Sequence, residues 1–478
     1  MSSNKDQKNE DTSDSNDAPK VVVTSSDADP MKNIQELLKM LAIDPSKLNN
    51  RDNEIKPKNF EEYKFWKTQP IVKFDEKVTT EGPVDNSKTV ADIPTSPLPL
   101  KAIPGFEWYD VDIENDIDEL YQLLNENYVE DQDSAFRFDY SKSFLQWALT
   151  CPGYKKEWFV GIRVISSKKL VGFISAIPVT LQVRGKILPS VDINFLCVHK
   201  KLRAKRLAPV FIKEITRRVN LCNIWQALHT GGVVLPSPVS VCRYAHRPLN
   251  WGKMFDVGFT GLPYNATKTQ MIAKYTLSKT TTTPGLRRLE LKDLDEALEL
   301  LNKYQSRFKL IQLFNKEEFK HWFLTIENVI YSYVVEDPKT GKITDFISFY
   351  TLPFTILNNN NYNSLNVAYL FYYASDSDFN YPDRFDTEAT KVLKKRLSQL
   401  VNDACIIARS ELHMDVFNAL TSQDNSLFLK DLKFGPGDGL LNFYLFNYRT
   451  FPMNGGCIAD QNYAYDEEHR SDIGVVML

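Results

Sequence analysis

From Trp108 onwards the chain states one arrangement of elements twice, and this repeat constrains the fold more than any other feature. Asp118-Glu119-Leu120-Tyr121-Gln122-Leu123-Leu124-Asn125 is echoed by Asp295-Glu296-Ala297-Leu298-Glu299-Leu300-Leu301-Asn302, each opening a helix after a short strand. Trp158 to Val164 and Val171 to Ser175 read as a hairpin across Ser166-Ser167-Lys168-Lys169. Tyr331 to Val335 and Thr344 to Ser348 read as its counterpart across Asp337-Pro338-Lys339-Thr340-Gly341. The apolar run Ile193 to Val198 has its partner in Val367 to Tyr373, and helices follow both, Pro209 to Val219 and Glu388 to Ala408. A strand–helix–hairpin–strand–helix order recurring after roughly 175 residues describes two homologous halves of mixed α/β type.

Ahead of the repeat, residues 1–30 are rich in Ser, Asp, Asn and Lys and predict disorder. Ile34, Leu37, Leu38 and Leu41 then mark a short amphipathic helix over Met31 to Ala42. Pro94, Pro97, Pro99 and Pro104 make an extended lead-in to the first strand. The expected division is a tail over 1–59, a first half over 60–280 and a second over 281–478. The six cysteines contain no CxxC pair and the six histidines no HExxH, so no structural metal or disulfide framework is expected, and a reducing, cytoplasmic setting is. The chain starts Met-Ser-Ser, lacks an apolar leader and has no apolar run long enough for a membrane span.

The halves differ in one place that bears on function. After the strand at Val191 to Val198 come Lys200, Lys201, Arg203, Lys205 and Arg206, and Pro209 suits the first turn of the helix that follows. A strand feeding a cationic loop that opens a helix can hold phosphates, because helix N-terminal amides and Arg forks meet a dispersed anion. There is no GxxxxGK[ST] or GxGxxG, so the pyrophosphate of a coenzyme A thioester fits better than a nucleotide held by those motifs. A merely solubilising loop and a nucleic-acid contact are the competing readings. The net charge of −3 makes the cluster a local exception rather than part of a basic face. In the second half Asp376, Asp378 and Asp383 stand where the first has Lys and Arg, so only the first half should bind a phosphorylated ligand. The chain also ends Ile473-Gly474-Val475-Val476-Met477-Leu478. Termini are usually polar and frayed, so this tail should pack inward and take its carboxylate with it.

Read together, several segments resemble the N-myristoyltransferases of fungal type, within the GNAT-like N-acyltransferases. They are Asp192 to His199, Arg203 to Ala208, Lys213 to Asn220, His229 to Gly232, Tyr244 to Asn250, Lys433 to Gly439 and Gly474 to Leu478. The resemblance runs from Tyr63 to the last residue. It implies a pseudo-twofold pair of GNAT-like halves forming a saddle-shaped sheet surrounded by helices, and transfer of a myristoyl group from myristoyl-CoA to an N-terminal glycine. No permanently bound cofactor is implied; myristoyl-CoA is a co-substrate, and N-terminal-glycine peptides of client proteins are the partners. Ribosome association through the tail stays open, and nucleic acid is not an expected partner.

The resemblance also implies roles. Phe195 and Leu196 would offer backbone N–H groups to the thioester oxygen, Leu478 would supply its α-carboxylate as base, and Asn194 and Thr230 would hold the amine. Tyr63, Lys64, Phe65, Trp66, Phe195, Leu196, Cys197, Val198, Arg203, Ala204, Lys205, Arg206, Leu207 and Ala208 would hold acyl-CoA. Phe136, Phe138, Tyr244, His246, Tyr373, Asn418, Leu420 and Asp438 would line the peptide groove, with Asp438 in a Gly-Pro-Gly-Asp-Gly turn. His246 is a second candidate base. Cys197 invites a covalent acyl-enzyme, which direct attack by the amine makes unnecessary. Two positions depart from the family pattern, Asp192 for a usual Glu and Ala204 for a usual Ser. A GNAT-like N-acetyltransferase using a short acyl-CoA, and a non-catalytic lipid or nucleic-acid binder, are the alternatives.

Overall fold

The computed structural model describes residues 60–478 except 75, 102, 129–135 and 358. The tail over 1–59 and its amphipathic helix lie outside the described residues. In chain order the strands are β1 (Phe106–Asp110), β2 (Phe136–Phe138), β3 (Phe159–Val164), β4 (Leu170–Val183), β5 (Lys186–Val198), β6 (Gln226–Gly231), β7 (Ser240–Pro248), β8 (Leu286–Arg288), β9 (Leu310–Leu313), β10 (Ile330–Glu336), β11 (Ile343–Thr351), β12 (Phe354–Ile356), β13 (Ser364–Leu365), β14 (Val367–Ser375), β15 (Val416–Leu420) and β16 (Gly435–Phe446). The helices are α1 (Ile117–Asn127), α2 (Lys142–Leu149), α3 (Leu207–Asn220), α4 (Trp251–Asp256), α5 (Lys268–Tyr275), α6 (Leu294–Gln305), α7 (Lys316–Phe323) and α8 (Thr387–Ser410).

One large mixed sheet carries the fold, in the order β1-β3-β4-β5-β6-β16-β7-β15-β14-β11-β10-β8, with β9 paired to β4. Read from either end, the order is the same once each strand is matched with its repeat. The repeat in the sequence is therefore a repeat in the sheet. The last strands cross over, so that β16 lies beside β6 and β7 beside β15. Each half thus completes its sheet with a strand from the other, an exchange that no local pattern announces.

The helices sit where the sequence repeat predicts. In α1, Leu120, Leu123 and Leu124 are buried; in α6, Leu294, Ala297, Leu300 and Leu301 are. This one-sided burial at helical spacing packs each helix against the sheet. The hairpin β4–β5 runs further than Val171 to Ser175 implies, reaching a tight turn at Arg184 (φ 48°) and Gly185 (φ 86°). Positive φ at both central residues matches the twist of two-residue hairpins. A small sheet, β13-β12-β2, packs Phe138 against Phe354 with ring centroids 4.4 Å apart.

Among the described strands each half contains one parallel pair, and these pairs are short. β5 meets β6 only from Ser190–Gln226 to Asp192–Leu228, and β14 meets β15 only from Val367–Val416 to Tyr369–Asn418. Beyond those points the strands part, which leaves a cleft in each half.

Candidate active site

The cleft of the first half is a cavity of about 250 Å³, and it opens where β5 leaves β6. Asn194, Phe195 and Leu196 line it from β5, and His229, Thr230 and Gly231 from β6. Ile212, Ile215, Thr216 and Val219 form a wall from α3. Tyr128, Phe138, Tyr140, Tyr244, Tyr350 and Tyr369 form an aromatic wall opposite, and Met477 and Leu478 complete the lining. The second cleft is plugged. The Tyr373 hydroxyl donates to Asn425 Oδ1 at 2.8 Å, Asn425 Nδ2 donates to the Leu420 carbonyl at 2.8 Å, and Gln423 Nε2 donates to the Phe371 carbonyl at 2.8 Å.

At the mouth of the open cleft β5 bulges. Ser175 pairs with Asn194 and Phe173 with Cys197, so Ile174 alone faces both Phe195 and Leu196. Phe195 takes φ 55°, a left-handed conformation in which a bulky residue is an outlier. The Ser175 hydroxyl donates to the Asn194 carbonyl at 2.9 Å and braces the strand just before the bulge. A two-against-one bulge breaks the ladder locally and can turn backbone N–H groups outwards.

The C-terminal tail enters the same cavity. Ile473, Val475 and Met477 are buried, and the amides of Gly474 and Val475 donate to the Leu310 carbonyl at 2.8 and 3.1 Å. The Val476 amide donates to the Tyr372 hydroxyl at 3.0 Å. Gly474 is required by closeness, because a Cβ there would collide with Gln305 Oε1 and lie 2.7 Å from Phe308. The approach is secured by a buried ion cluster in which Arg470 Nε donates to Asp424 Oδ1 at 2.9 Å.

Beside the cavity, His229 lies between Trp66 and Tyr444 in a three-ring stack, with centroids 5.7 and 5.0 Å apart. Burial pushes its pKa down to about 4, so the ring is neutral. The stack fastens the segment of Tyr63, Lys64, Phe65 and Trp66 to the sheet, together with a hydrogen bond from the Tyr63 hydroxyl to the Val234 carbonyl at 3.1 Å.

Residues 83–242 match the Myristoyl-CoA:protein N-myristoyltransferase, N-terminal domain, and residues 256–476 match the C-terminal domain of the same family. The glycylpeptide N-tetradecanoyltransferase of Candida glabrata is 62% identical over 460 residues, covering 94% of this chain and 99% of that protein. Its counterpart from Saccharomyces cerevisiae is 58% identical over 461 residues, covering 95% and 100%. A crystal structure of the Saccharomyces cerevisiae N-myristoyltransferase with bound myristoyl-CoA superposes with a TM-score of 0.85 at 60% identity, covering 87% of this chain and 100% of that one. The chain belongs to the N-myristoyltransferase family. It is an acyltransferase with the family's mixed α/β fold.

Of the residues singled out in the sequence, the cavity gathers Trp66, Phe138, Asn194, Phe195, Leu196, Thr230, Tyr244 and Leu478. Arg203, Ala204, Lys205 and Arg206 are exposed and sit outside it. What reads as a loop is a turn of 3-10 helix, Lys200–Lys205, ended by Arg206 at φ 55°. The Arg206 side chain makes no capping hydrogen bond to α3, whose opening residues Leu207 and Ala208 follow it directly. Arg203 donates to the Asn127 carbonyl at 2.6 Å, and the Lys200 amide donates to Asn127 Oδ1 at 3.1 Å. Cys197 is buried, with burial pushing its thiol up to about 12, and its Sγ faces the Leu123 carbonyl at 3.9 Å. Such a thiol is protonated and a poor nucleophile. Val198 closes β5 beside it.

Several residues expected in the peptide groove do not line this cavity. Phe136 is buried against Phe259 and Phe354, and Tyr373 belongs to the plug of the second cleft. His246 Nδ1 meets Asn418 Oδ1 at 2.7 Å on neighbouring strands, with burial pushing the imidazole pKa down. Leu420 is buried at the end of β15. The Gly-Pro-Gly-Asp-Gly stretch is not a turn. Gly435 to Gly439 belong to β16, and Asp438 lies in a bulge where Gly437, Asp438 and Gly439 oppose Tyr244. Turn chemistry loses to sheet pairing here because β7 supplies partners on both sides of the bulge. A Cβ on Gly437 would collide with His246 Nε2, so that glycine answers to proximity. Tyr128, Tyr140, Tyr350 and Tyr369 are cavity residues that the sequence does not single out. Tyr350 and Tyr369 stack at 5.1 Å as register partners of β11 and β14, a relation that only strand pairing creates.

Proposed function

We propose that this chain transfers a myristoyl group from myristoyl-CoA to the N-terminal glycine of client proteins, by direct attack of the glycine amine on the thioester. The observation that carries the mechanism is that the bulge residues Phe195 and Leu196 and the final residue Leu478 line one cavity. The basic turn before α3 supports the coenzyme's place, since Lys205, Arg206 and the first amides of α3 can meet its phosphates. The apolar wall from α3 and β5 suits the acyl chain.

In this reading the amine nitrogen attacks the thioester carbonyl carbon, the C–N bond forms, and the C–S bond breaks to release CoA thiolate, which takes up the proton that the nitrogen sheds as the amide forms. The backbone N–H groups of Phe195 and Leu196 stabilise the developing oxyanion, one such donor being worth ~3 kcal/mol in the transition state. The amine must first lose a proton, and the Leu478 carboxylate takes it. In water that transfer is uphill by roughly 6 kcal/mol for an α-amine and an α-carboxyl. A dry cavity disfavours both charged forms and narrows the gap. Asn194 and Thr230 hold the amine near the carboxylate. A covalent route through Cys197 is disfavoured by its raised thiol pKa. A thiol-release assay with myristoyl-CoA and an octapeptide beginning with Gly tests the reading, against the same peptide beginning with Ala and against acetyl-CoA. CoA release with the Gly peptide and myristoyl-CoA alone is expected; equal release with acetyl-CoA or with the Ala peptide would refute it.

A further inference from the structure

The mechanism above makes no use of Asp192. This residue stands on β5 two positions before Asn194, so the two side chains leave the same face of the strand. Its partners across the sheet are apolar, Ile177 on β4 and Leu228 on β6. Asp192 is 8% exposed, its Oδ1 has no hydrogen-bond partner among the described residues, and Asn194 Nδ2 donates to its Oδ2 at 3.0 Å. Among the described residues it forms no ion pair. The titratable groups around it are the phenols of Tyr128 at the end of α1 and Tyr372 on β14, and the thiol of Cys151 after α2. Burial pushes all three pKa values up, so they stay neutral. Burial also raises the Asp192 carboxyl to about 7, against the bond from Asn194.

An ionised carboxylate accepts hydrogen bonds and donates none. It therefore claims the amide nitrogen of Asn194 and leaves the carbonyl oxygen for the cavity that Asn194 lines. A protonated Asp192 donates, so the side chain of Asn194 can reverse and turn its NH2 group inwards. A substrate ammonium needs an acceptor there.

Taking Asn194 as an amine-binding residue, we propose that Asp192 is a positioning residue for the substrate amine: ionised, it turns the carbonyl oxygen of Asn194 towards the ammonium, and protonated, it releases it. Peptide recognition then depends on pH near neutrality while acyl-CoA recognition does not.

The experiment compares the full chain with Asp192→Asn, using myristoyl-CoA and a Gly-starting octapeptide from about pH 5.5 to 8.5, a range that spans neutrality. Titration of the substrate amine is common to both enzymes and cancels in the ratio of their kcat/KM values for peptide. That ratio is expected to fall from roughly tenfold at the alkaline end to near one at the acid end, with KM for myristoyl-CoA within about twofold throughout. Asp192→Glu, which restores a carboxylate, should recover the wild-type profile. A ratio flat across the range, or KM rising equally for both substrates, would overturn the role. Should Asp192→Asn fail to bind myristoyl-CoA, side-chain amide signals of 15N-Asn-labelled wild type decide. The signal missing in Asn194→Ala should shift with a midpoint near neutrality, and a signal unmoved over the range overturns the proposal. A wild-type enzyme inactive on the Gly peptide would refute the functional reading and this role with it, whereas an active one with a flat ratio refutes this role alone.

Discussion

The hydroxyl of Tyr372, on a central strand of the second half, accepts a hydrogen bond from the Val476 amide at 3.0 Å and so fixes the end of the chain two residues before its carboxylate. Tyr372 itself is fully buried, and its ring packs on Phe371 at 4.7 Å and Phe314 at 5.3 Å. Tyr372→Phe keeps that packing and removes one hydrogen bond, worth about 0.5–1.5 kcal/mol. The expected outcome is a fall of roughly two- to tenfold in the single-turnover rate, with KM for myristoyl-CoA unchanged. An effect on acyl-CoA binding of the same size would show that the tail supports the coenzyme and not the proton transfer.

In the proposed mechanism the Leu478 carboxylate is the base, so removing Leu478, or adding residues after it, should slow the chemical step far more than it weakens acyl-CoA binding. Gly474→Ala makes the same point from a distance. A methyl group there meets Gln305 and Phe308, and overpacking of this kind costs about 1–3 kcal/mol. Thermal melting should register that loss, and turnover should fall with it. Single-turnover rates like wild type in the Leu478 deletion would remove the base from the mechanism.

Lys205→Ala and Arg206→Ala should raise KM for myristoyl-CoA and leave peptide affinity nearly unchanged. Arg203→Ala should do more, because this guanidinium also holds the Asn127 carbonyl at the end of α1. The difference is visible in thermal stability, which the first two substitutions leave within about 0.5 kcal/mol as solvent-exposed changes do.

Acid should loosen the C-terminal tail. Burial pushes the Asp424 carboxyl up, but the Arg470, Arg384 and Arg307 guanidiniums around it outweigh burial and hold it well below its ordinary value of 3.8. A carboxyl whose pKa is depressed by folding contributes stability that is complete above the unfolded value and lost as pH falls below it. Stability owed to Asp424 is therefore constant at neutral pH and drains away below pH 3.8. Asp424→Asn removes the charge at every pH and leaves buried guanidiniums uncompensated, costing about 3–5 kcal/mol. Denaturant titrations at about pH 7 and about pH 3 should show the gap between variant and wild type closing at the lower pH; a gap that stays constant would place the stabilisation elsewhere.

Much of this protein was legible in its residues. The repeated helix openings at Asp118 and Asp295, the two hairpins and the two apolar strands appear at the expected places, because amphipathic spacing and turn residues are local properties that survive any tertiary setting. The apolar run from Ile473 announced a tail that packs inward, and Ile473, Val475 and Met477 are buried, because exposing them to water is costly. What the sequence by itself determined, then, is two halves of one pattern, a single cationic turn, and an end drawn inwards. Tertiary structure decided the exchange of β7 and β16, the bulge that removed the expected turn at Gly435 to Gly439, and the tyrosine wall of the cavity. It also decided which cleft stays open, since Tyr373, Gln423 and Asn425 fill one and leave its counterpart to Asn194, Phe195 and Leu478. Those outcomes depend on contacts between residues far apart in the chain, where spacing carries no signal and only the paired strands settle which side chains meet.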